Sequence, residues 1–246
     1  YENLDKLYSE IWIYGNQDYY DPVREYAVPD SVRRKMVFTG YIPRRTPSGR
    51  EAGRIRRELG VAPEEKLIVV TTGGGGDGFA VMDAYLAMLE EGPLEAGIKS
   101  VLVSGPFMPQ KARKGLFKRA RKAGVPTFLF YRRMEKLMAA ADLVISMGGY
   151  NTLSEVIGQG TLSLVIPREA PRAEQLIRAR AFKEQGLIDY IRWNEVTSHR
   201  LRSKINALLT NPEPYYDALS RFQFTGLDSM RSRIRAFRSK AHVAAC

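Results

Sequence analysis

The sequence predicts an α/β protein built on a doubly wound parallel sheet, and two observations support this. From residue 66 onward, short runs of β-branched and other apolar residues alternate with helical patterns, which is typical of stacked βαβ units. These runs are apolar throughout, as expected of strands that helices cover on both faces. A chain of 246 residues with 44% hydrophobic content can bury a substantial core.

The predicted strands and helices follow one another in strict alternation. The strand sequences are KLIVVTT, SVLVSG, TFLFY, LVIS and LSLVIP. A helix follows each strand, because apolar residues recur there at helical spacing. These helices begin near Phe79, Lys111, Met134, Thr152 and Ala173.

The chain is predicted to contain three regions. Residues 1–45 read as the end of a preceding domain and a linker, with aromatic clusters and the unpaired strand candidate MVFTGYI. Residues 46–210 form the sheet domain. The Asn-Pro-Glu-Pro sequence at 211–214 then separates it from a basic helical tail, residues 211–246.

The first residues, YENLDKLYSEIWIYG, resemble the middle of a folded protein and lack the features of a signal peptide. We therefore expect a longer protein with a further domain before these residues. No window has the run of apolar residues that crosses a bilayer. The single cysteine, Cys246, excludes an internal disulfide and favours a reducing cytoplasm.

The formal charge of +11 and a pI near 9.8 suggest a polyanionic partner. Nucleic acid, an anionic membrane surface or a phosphorylated substrate would each fit, and a merely solvated helix face is the alternative. The basic residues become denser toward the C-terminus. They are Arg192, Arg200, Arg202, Lys204, Arg231, Arg233, Arg235, Arg238 and Lys240.

The first glycine-rich turn, Gly73 to Gly78, follows a strand and precedes a helix. Glycines there leave backbone N–H groups accessible, and with the helix dipole they suit a diphosphate. The spacing matches neither a P-loop nor a clean dinucleotide fingerprint. A flexible turn without ligand is the alternative, and Asp77 is interpreted as a helix cap.

The second turn, Ser146 to Glu155, also has glycines before a helix. Thr152, Ser154 and Glu155 fall in the first helical turns, so they can face the same crevice outside the ends of parallel strands. A carboxylate there can accept hydrogen bonds from two ribose hydroxyls. Alternatively, Glu155 is only a favourable charge at a helix N-terminus.

The segment ADLVISMGGYNTLSEVIGQGTLSLVIP resembles the C-terminal domain of MurG-like, family 28 glycosyltransferases. The resemblance extends over residues 37–190, through VFTGYIPR, FLFYRRM and PREAPRAEQLIRARAF. It implies a Rossmann-like domain, the C-terminal half of a GT-B glycosyltransferase, that binds a nucleotide sugar.

The resemblance also implies roles for individual residues. The diphosphate would be held by backbone groups of Gly74, Gly75, Gly76, Gly149, Tyr150 and Thr152. The ribose would bind Glu155, and the base would bind Tyr131, Arg44 and Met134. The donor sugar would lie near Glu174, Gln175 and Arg178.

Two of these positions depart from the family pattern. Glu174 replaces the first of two glutamines and Arg178 replaces an asparagine, so the resemblance does not carry over the identity of the sugar. Simpler interpretations remain for several residues. Glu174 and Gln175 would be exposed helix positions, Tyr131 and Met134 core residues, and Arg44 a solvated arginine.

The implied reaction is transfer of a sugar from a UDP-sugar to an acceptor hydroxyl with inversion. Without an Asp-x-Asp motif or clustered histidines, we expect no metal and no other cofactor. No catalytic base is nominated, since it is expected in the preceding domain. Expected partners are the UDP-sugar, an unidentified acceptor and an anionic membrane, which the protein would contact peripherally from the cytoplasm. A lipid-linked molecule is one candidate for the acceptor. The alternatives are a UDP-sugar hydrolase or epimerase and, less favoured, a nucleic-acid-binding module.

Overall fold

The computed structural model describes residues 1–243, and Cys246 lies outside them. Its contacts divide these residues into two compact units. The smaller unit combines residues 1–43 with residues 222–243, and the larger unit is Arg44–Arg221. The predicted basic tail is therefore split, because residues 211–221 pack with the sheet and the residues after them pack with the N-terminal segment. The assignment of residues 1–45 to an acceptor domain stays a prediction.

The smaller unit contains a short parallel pair of strands and several helices. Ile11 pairs with Met36 and Ile13 with Phe38, so the MVFTGYI strand is not unpaired as predicted. Tyr19, Tyr41 and Phe222 form an aromatic cluster with ring centroids 5.7–5.9 Å apart. The elements before the larger unit are α1 (Glu2–Leu7), β1 (Ile11–Ile13), α2 (Pro22–Glu25), α3 (Asp30–Arg33) and β2 (Met36–Phe38).

The larger unit alternates strands and helices from Lys66 to Glu184, as the sequence predicts. The helix Gly49–Glu58 before this stretch, and the strand Asp189–Tyr190 and the helix Ser198–Thr210 after it, were not predicted. Its first half comprises α4 (Gly49–Glu58), β3 (Lys66–Thr71), α5 (Phe79–Glu91), β4 (Ile98–Val103), α6 (Gln110–Lys122), β5 (Thr127–Phe128) and α7 (Met134–Ala140). Its second half comprises β6 (Leu143–Ser146), α8 (Tyr150–Gly158), β7 (Leu162–Val165), α9 (Glu174–Glu184), β8 (Asp189–Tyr190), a 3-10 turn (Trp193–Glu195), α10 (Ser198–Thr210) and α11 (Glu213–Arg221). The last helix of the chain, α12 (Gly226–Val243), belongs to the smaller unit.

The six strands of the larger unit form one parallel sheet in the order β5-β4-β3-β6-β7-β8. The chain adds strands in one direction from β3 to β5 and then returns to add β6 on the other side of β3. This is the doubly wound order with its reversal between β3 and β6, where such sheets bind ligands outside the strand ends. The predicted fold class is confirmed.

The core lies on both faces of this sheet. Along β3, Ile68 and Val70 pack toward α5, α6 and α10, whereas Leu67 and Val69 pack toward α4, α7 and α8. All four side chains are fully buried. Each contributes about 1.5–3 kcal/mol by burial, so β3 is a rigid support for the turn that follows it.

Helix α4 was not predicted, although the sequence carries its start signal. Ser48 and Glu51 form a capping box, in which each side chain bonds the backbone N–H of the other residue. Glu51 also pairs with Lys136 of α7 at 2.7 Å, and this hydrogen bond, together with that from the N–H of Ser48, lowers the pKa of Glu51 to about 2. The pair fastens α4 to α7 beside the sheet.

Among the helices of residues 1–243, none has both the length and the apolar character that crossing a bilayer requires.

Candidate functional site

A cavity of about 530 Å³ opens at the carboxyl ends of β3 and β6, within the larger unit. It contains eleven of the thirteen residues predicted to bind a ligand. These are Arg44, Gly74, Gly75, Gly76, Tyr131, Met134, Gly149, Tyr150, Thr152, Glu155 and Gln175. The sequence did not indicate several other lining residues, namely Thr71, Val103, Gly105, Phe130 and Met138.

The first glycine-rich turn forms one wall of this cavity. Gly73 and Gly75 have φ values of +62° and +88°, which favour glycine. A Cβ on Gly75 would lie 2.1 Å from the carbonyl oxygen of Ser104, so a side chain there would displace the backbone. The backbone N–H of Phe107 donates to the carbonyl of Gly74 at 2.8 Å, which fastens the turn to the segment after β4.

Gly105, on that segment, meets the same turn from the other side. Its φ is +79°, and a Cβ would lie 2.3 Å from the carbonyl oxygen of Gly73. The only local signal of this role is the sequence Ser-Gly-Pro after a strand. The close approach depends on the pairing of β3 with β4 and is not visible in the sequence.

The second turn leads into α8, whose N-cap Gly149 has no side-chain cap. The first backbone N–H groups of a helix have no partner within the helix, which makes the start of α8 a candidate anion site. A Cβ added to Gly73 would lie 3.7 Å from Oγ1 of Thr152, so the two turns adjoin. Ser154 is buried and does not line the cavity.

Two glycines leave open space in the cavity. A Cβ on Gly76 or on Gly149 would meet no atom within 4 Å, and both residues line the cavity. Neither position requires glycine to avoid a clash with the protein. The missing side chains instead leave backbone accessible to a ligand.

Glu155 lies one turn into α8 and pairs with Arg44, whose Nε is 3.4 Å from its Oε1. The carboxylate side chain is 18% exposed and the arginine 58%. Burial raises the pKa of Glu155, Glu135 adds to the increase, and Arg44 opposes it. The cavity therefore holds a partly desolvated acceptor of hydrogen bonds.

One part of the cavity wall is apolar. Tyr131 packs edge-on against Phe128 with ring centroids 5.1 Å apart, and burial raises its pKa. Met134 begins α7 beside it, and Phe130 lines the same part while remaining 65% exposed. A flat, partly apolar group would fit among these side chains.

Asp77 does not cap α5 as predicted. The N-cap is Gly78, which provides no side-chain bond, and Asp77 instead pairs with Nη1 of Arg168 at 2.6 Å. Arg168 also contacts Glu174 at 3.5 Å, and its backbone N–H donates to Oε1 of Gln175 at 3.0 Å. Arg168 thus connects the first turn to the start of α9.

Two predicted site residues do not line the cavity. The carboxylate of Glu174 contacts Nη2 of Arg168 at 3.5 Å. Arg178 is 7% exposed and donates through Nη1 to the carbonyl of Gly148 at 3.3 Å, so it supports the second turn from behind. Their predicted contact with a donor sugar is not apparent in this arrangement.

A smaller cavity of about 450 Å³ shares Asp77 and Met147 with the first. Trp193, which is 44% exposed, forms part of its wall. In the described part of the chain, no group of three or more His, Cys, Asp or Glu side chains is arranged to hold a metal ion.

The sequence matches the model of the glycosyltransferase family 28 C-terminal domain over residues 68–231. It is 31% identical over 145 residues to the UDP-N-acetylglucosamine--N-acetylmuramyl-(pentapeptide) pyrophosphoryl-undecaprenol N-acetylglucosamine transferase of Streptococcus agalactiae, across 58% of this chain and 38% of that protein. The Streptococcus pneumoniae protein of the same name is 34% identical over 83 residues, 33% of this chain and 24% of that protein. The chain thus spans less than two fifths of the length of these relatives.

Solved structures share the fold. Acinetobacter baumannii MurG superposes with a TM-score of 0.63 at 18% identity, over 82% of this chain and 57% of that one. The calicheamicin glycosyltransferase CalG4 gives 0.61 at 14% identity, over 99% and 54%. With the family match across most of the larger unit, this chain belongs to the glycosyltransferase family 28 C-terminal domain family.

Proposed function

We propose that this chain is the donor-binding part of a glycosyltransferase that takes its sugar from a UDP-sugar. The observation that carries the proposal is the convergence of two glycine-rich turns with Glu155 at the reversal between β3 and β6. In doubly wound sheets this is the position at which nucleotides bind.

The diphosphate is assigned to the two turns. We assign it to the backbone of Gly74, Gly75 and Gly76 on one side and of Gly149, Tyr150 and Thr152 at the start of α8 on the other, since all six residues line the cavity. The N–H of Gly75 donates to the carbonyl of Thr72 at 3.2 Å, so the donors of the first turn are those of Gly74 and Gly76. A helix N-terminus favours negative charge through its free donors and its dipole. The open space beside Gly76 and Gly149 supports this assignment.

The nucleoside is assigned to the remaining groups of the cavity. Glu155 accepts hydrogen bonds from the two ribose hydroxyls, and Arg44 stays close to this carboxylate. The base lies at the apolar part of the wall against Tyr131 and Met134. A carboxylate that is partly desolvated forms stronger hydrogen bonds than one in water, which favours ribose binding.

In the proposed reaction, the sugar passes to an acceptor hydroxyl with inversion as UDP departs. Preorganised N–H donors stabilise the negative charge that develops on the departing UDP. The names of the curated relatives describe a lipid-linked acceptor, and we propose an acceptor of that class. The base that deprotonates it is assigned to protein outside this chain, so the chain alone binds the donor without turnover.

The donor sugar is assigned to the end of the cavity formed by Gln175. The adjoining cavity shares Asp77 and Met147 with this end and provides further room beside Trp193. Because Glu174 and Arg178 have other partners, we do not assign them to the sugar.

Isothermal titration calorimetry of the purified chain with UDP, UMP, ADP and a panel of UDP-sugars tests the proposal. UDP should bind more tightly than UMP, which lacks the second phosphate, and more tightly than ADP, whose base is larger. Equal affinities, or no binding of any nucleotide, would overturn it. Product analysis with the whole protein then distinguishes transfer from hydrolysis or epimerisation.

A further inference from the structure

We infer that the outer face of α6 docks on an anionic phospholipid surface. This helix, Gln110–Lys122, carries seven basic residues and no acidic one. Its charge is concentrated in thirteen residues of the larger unit, away from the C-terminal residues that the sequence analysis singled out. The seven are Lys111, Arg113, Lys114, Lys118, Arg119, Arg121 and Lys122.

The exposed cations lie along one side of α6. Lys111, Lys114, Lys118 and Arg121 are spaced by three, four and three residues, and all four are exposed. Residues at this spacing share a helix face, so these four form a stripe that extends about 15 Å along the axis. We call these four residues the α6 stripe. Leu116 and Ala120, on the other side of the helix, are buried in the core.

The α6 stripe is not neutralised by the protein itself. Arg119, off the stripe, pairs with Asp83 and with Glu90, the latter at 2.8 Å. Within residues 1–243, no ion pair involves a member of the stripe. In α12, Arg231 pairs with Asp228 at 3.3 Å and Arg233 with Glu10 at 3.0 Å, so only Arg235 and Arg238 among its described arginines have no ion pair, against four cations in the α6 stripe. Uncompensated charge therefore favours α6 over α12 as the surface for a polyanion.

Exposed aromatic side chains adjoin the N-terminal end of α6. Phe107, just before the helix, is 77% exposed, and Phe79 is 41% exposed. Phe79 and Pro109 line a shallow groove of about 520 Å³ together with Ala112, Gly115 and Leu116 of α6. Aromatic rings next to cations suit the boundary between lipid headgroups and acyl chains.

These two features together identify the kind of partner. Cations alone would suit any polyanion, but the mostly apolar walls of the groove suit glycerol and acyl groups rather than the polar edge of a nucleobase. Phe107 also donates its backbone N–H to Gly74, so this surface adjoins the first glycine-rich turn. The inference depends on charge and exposure and does not require that the cavity bind UDP.

Cosedimentation of the full chain with vesicles is the direct test. One set contains phosphatidylcholine alone, and the other contains equal parts phosphatidylcholine and phosphatidylglycerol. We expect binding to the anionic vesicles that weakens as salt rises, because the attraction is screened. The triple variant Lys111→Gln, Lys114→Gln, Lys118→Gln should lose on the order of a hundredfold in partitioning, since each cation contributes about fivefold.

A matched variant separates this surface from net charge. Arg231→Gln, Arg235→Gln, Arg238→Gln removes the same charge from α12 and should retain most of the binding. Phe107→Ala should weaken binding by a similar factor at low and at high salt, because ions do not screen an apolar contact. Circular dichroism confirms that each variant is folded.

Three results would overturn the inference. They are equal binding to neutral and anionic vesicles, equal losses in the two triple variants, and displacement from anionic vesicles by a single-stranded RNA homopolymer that the chain binds more tightly. Calorimetry with UDP on the same preparations reports on the cavity separately. Failure of the membrane inference is thereby distinguished from failure of the proposed function.

Discussion

Glu155 is the side chain whose protonation state matters most to the proposed binding of a nucleotide. Its pKa is raised because burial penalises the ionised form more than Arg44 favours it. A carboxyl whose pKa is higher in the folded state than in the unfolded chain destabilises the fold when it is ionised. The ionised form of Glu155 therefore does not stabilise the fold, as expected of a residue with the ribose-binding role that we propose.

We predict that Glu155→Gln weakens UDP binding by about 1.5–3 kcal/mol, the value of hydrogen bonds to a charged group. The substitution removes a carboxylate whose burial is unfavourable, so the melting temperature should be unchanged or higher. Calorimetry and thermal denaturation measure the two effects. Glu135→Gln, a neighbouring glutamate that does not line the cavity, is the control. Unchanged UDP affinity would show that Glu155 does not bind the ribose and serves only as a favourable charge near the N-terminus of α8.

The same carboxyl predicts a pH dependence. As pH falls toward its raised pKa, Glu155 takes up a proton at a pH where an ordinary glutamate is still ionised, and it then accepts ribose hydrogen bonds less well. UDP affinity should fall accordingly. Because phosphate groups titrate in the same range, the difference between the wild type and Glu155→Gln is the quantity to follow. Parallel pH profiles for the two proteins would contradict the prediction.

Asp77 presents a negative charge at the edge of a cavity that we assign to a diphosphate, and Arg168 compensates it. We predict that Arg168→Gln weakens UDP binding by on the order of 1 kcal/mol, since it leaves this carboxylate unpaired near the phosphates. Asp77→Asn in the same chain should restore the affinity. A double-mutant cycle by calorimetry measures the coupling. Additive effects would show that the pair does not act through charge.

The turn before α5 can be tested with a pair of matched glycines. Gly76 lines the cavity and Gly115 is exposed on α6, and a Cβ on either would meet no protein atom within 4 Å. We predict that Gly76→Ala weakens UDP binding about tenfold, because its methyl group occupies ligand space, a cost of about 1–3 kcal/mol in packed sites. Gly115→Ala should leave affinity unchanged. Equal affinities for both variants would place the phosphates elsewhere.

The central apolar strands of the sheet could be predicted from the sequence, whereas several flanking elements could not. Buried strands such as β3 and β4 carry a continuous apolar run that has few other interpretations. Strand β1 has only three residues, too few for a periodic pattern, and its pairing partner lies more than twenty residues further along. Helix α4 was missed because its arginines obscured the capping box of Ser48 and Glu51.

The candidate site was predicted where local chemistry is distinctive. Glycines between a strand and a helix are visible in the sequence, and both turns line the cavity. The helix cap predicted for Asp77 was wrong, and the bond from Arg178 to Gly148 was not foreseen, because each contact involves a distant partner, Arg168 in one case and the carbonyl of Gly148 in the other. Such contacts depend on the order of β3, β6 and β7 in the sheet.

The chain as a whole combines a strongly basic surface with a cavity that contains few cations. The net charge is +11, yet Arg44 is the one basic side chain among the residues that line the cavity, and it pairs with Glu155. Asp77 and Glu155 add negative charge there. In the binding mode that we propose, attraction to a diphosphate comes from backbone N–H donors and helix dipoles, helped at longer range by the charge of the whole surface.

This division of charge leads to a prediction about metal ions. If the backbone donors of the two turns suffice for the diphosphate, UDP should bind with the same affinity in EDTA as in magnesium or manganese. Divalent cations otherwise commonly bridge the phosphates of bound nucleotides, and the alternative is that Asp77 helps to recruit one. Calorimetry in the three buffers measures the effect, with Asp77→Asn as the control. Binding that collapses in EDTA, returns with magnesium and is lost in Asp77→Asn would show that a cation, rather than the N–H donors of the turns, neutralises the diphosphate.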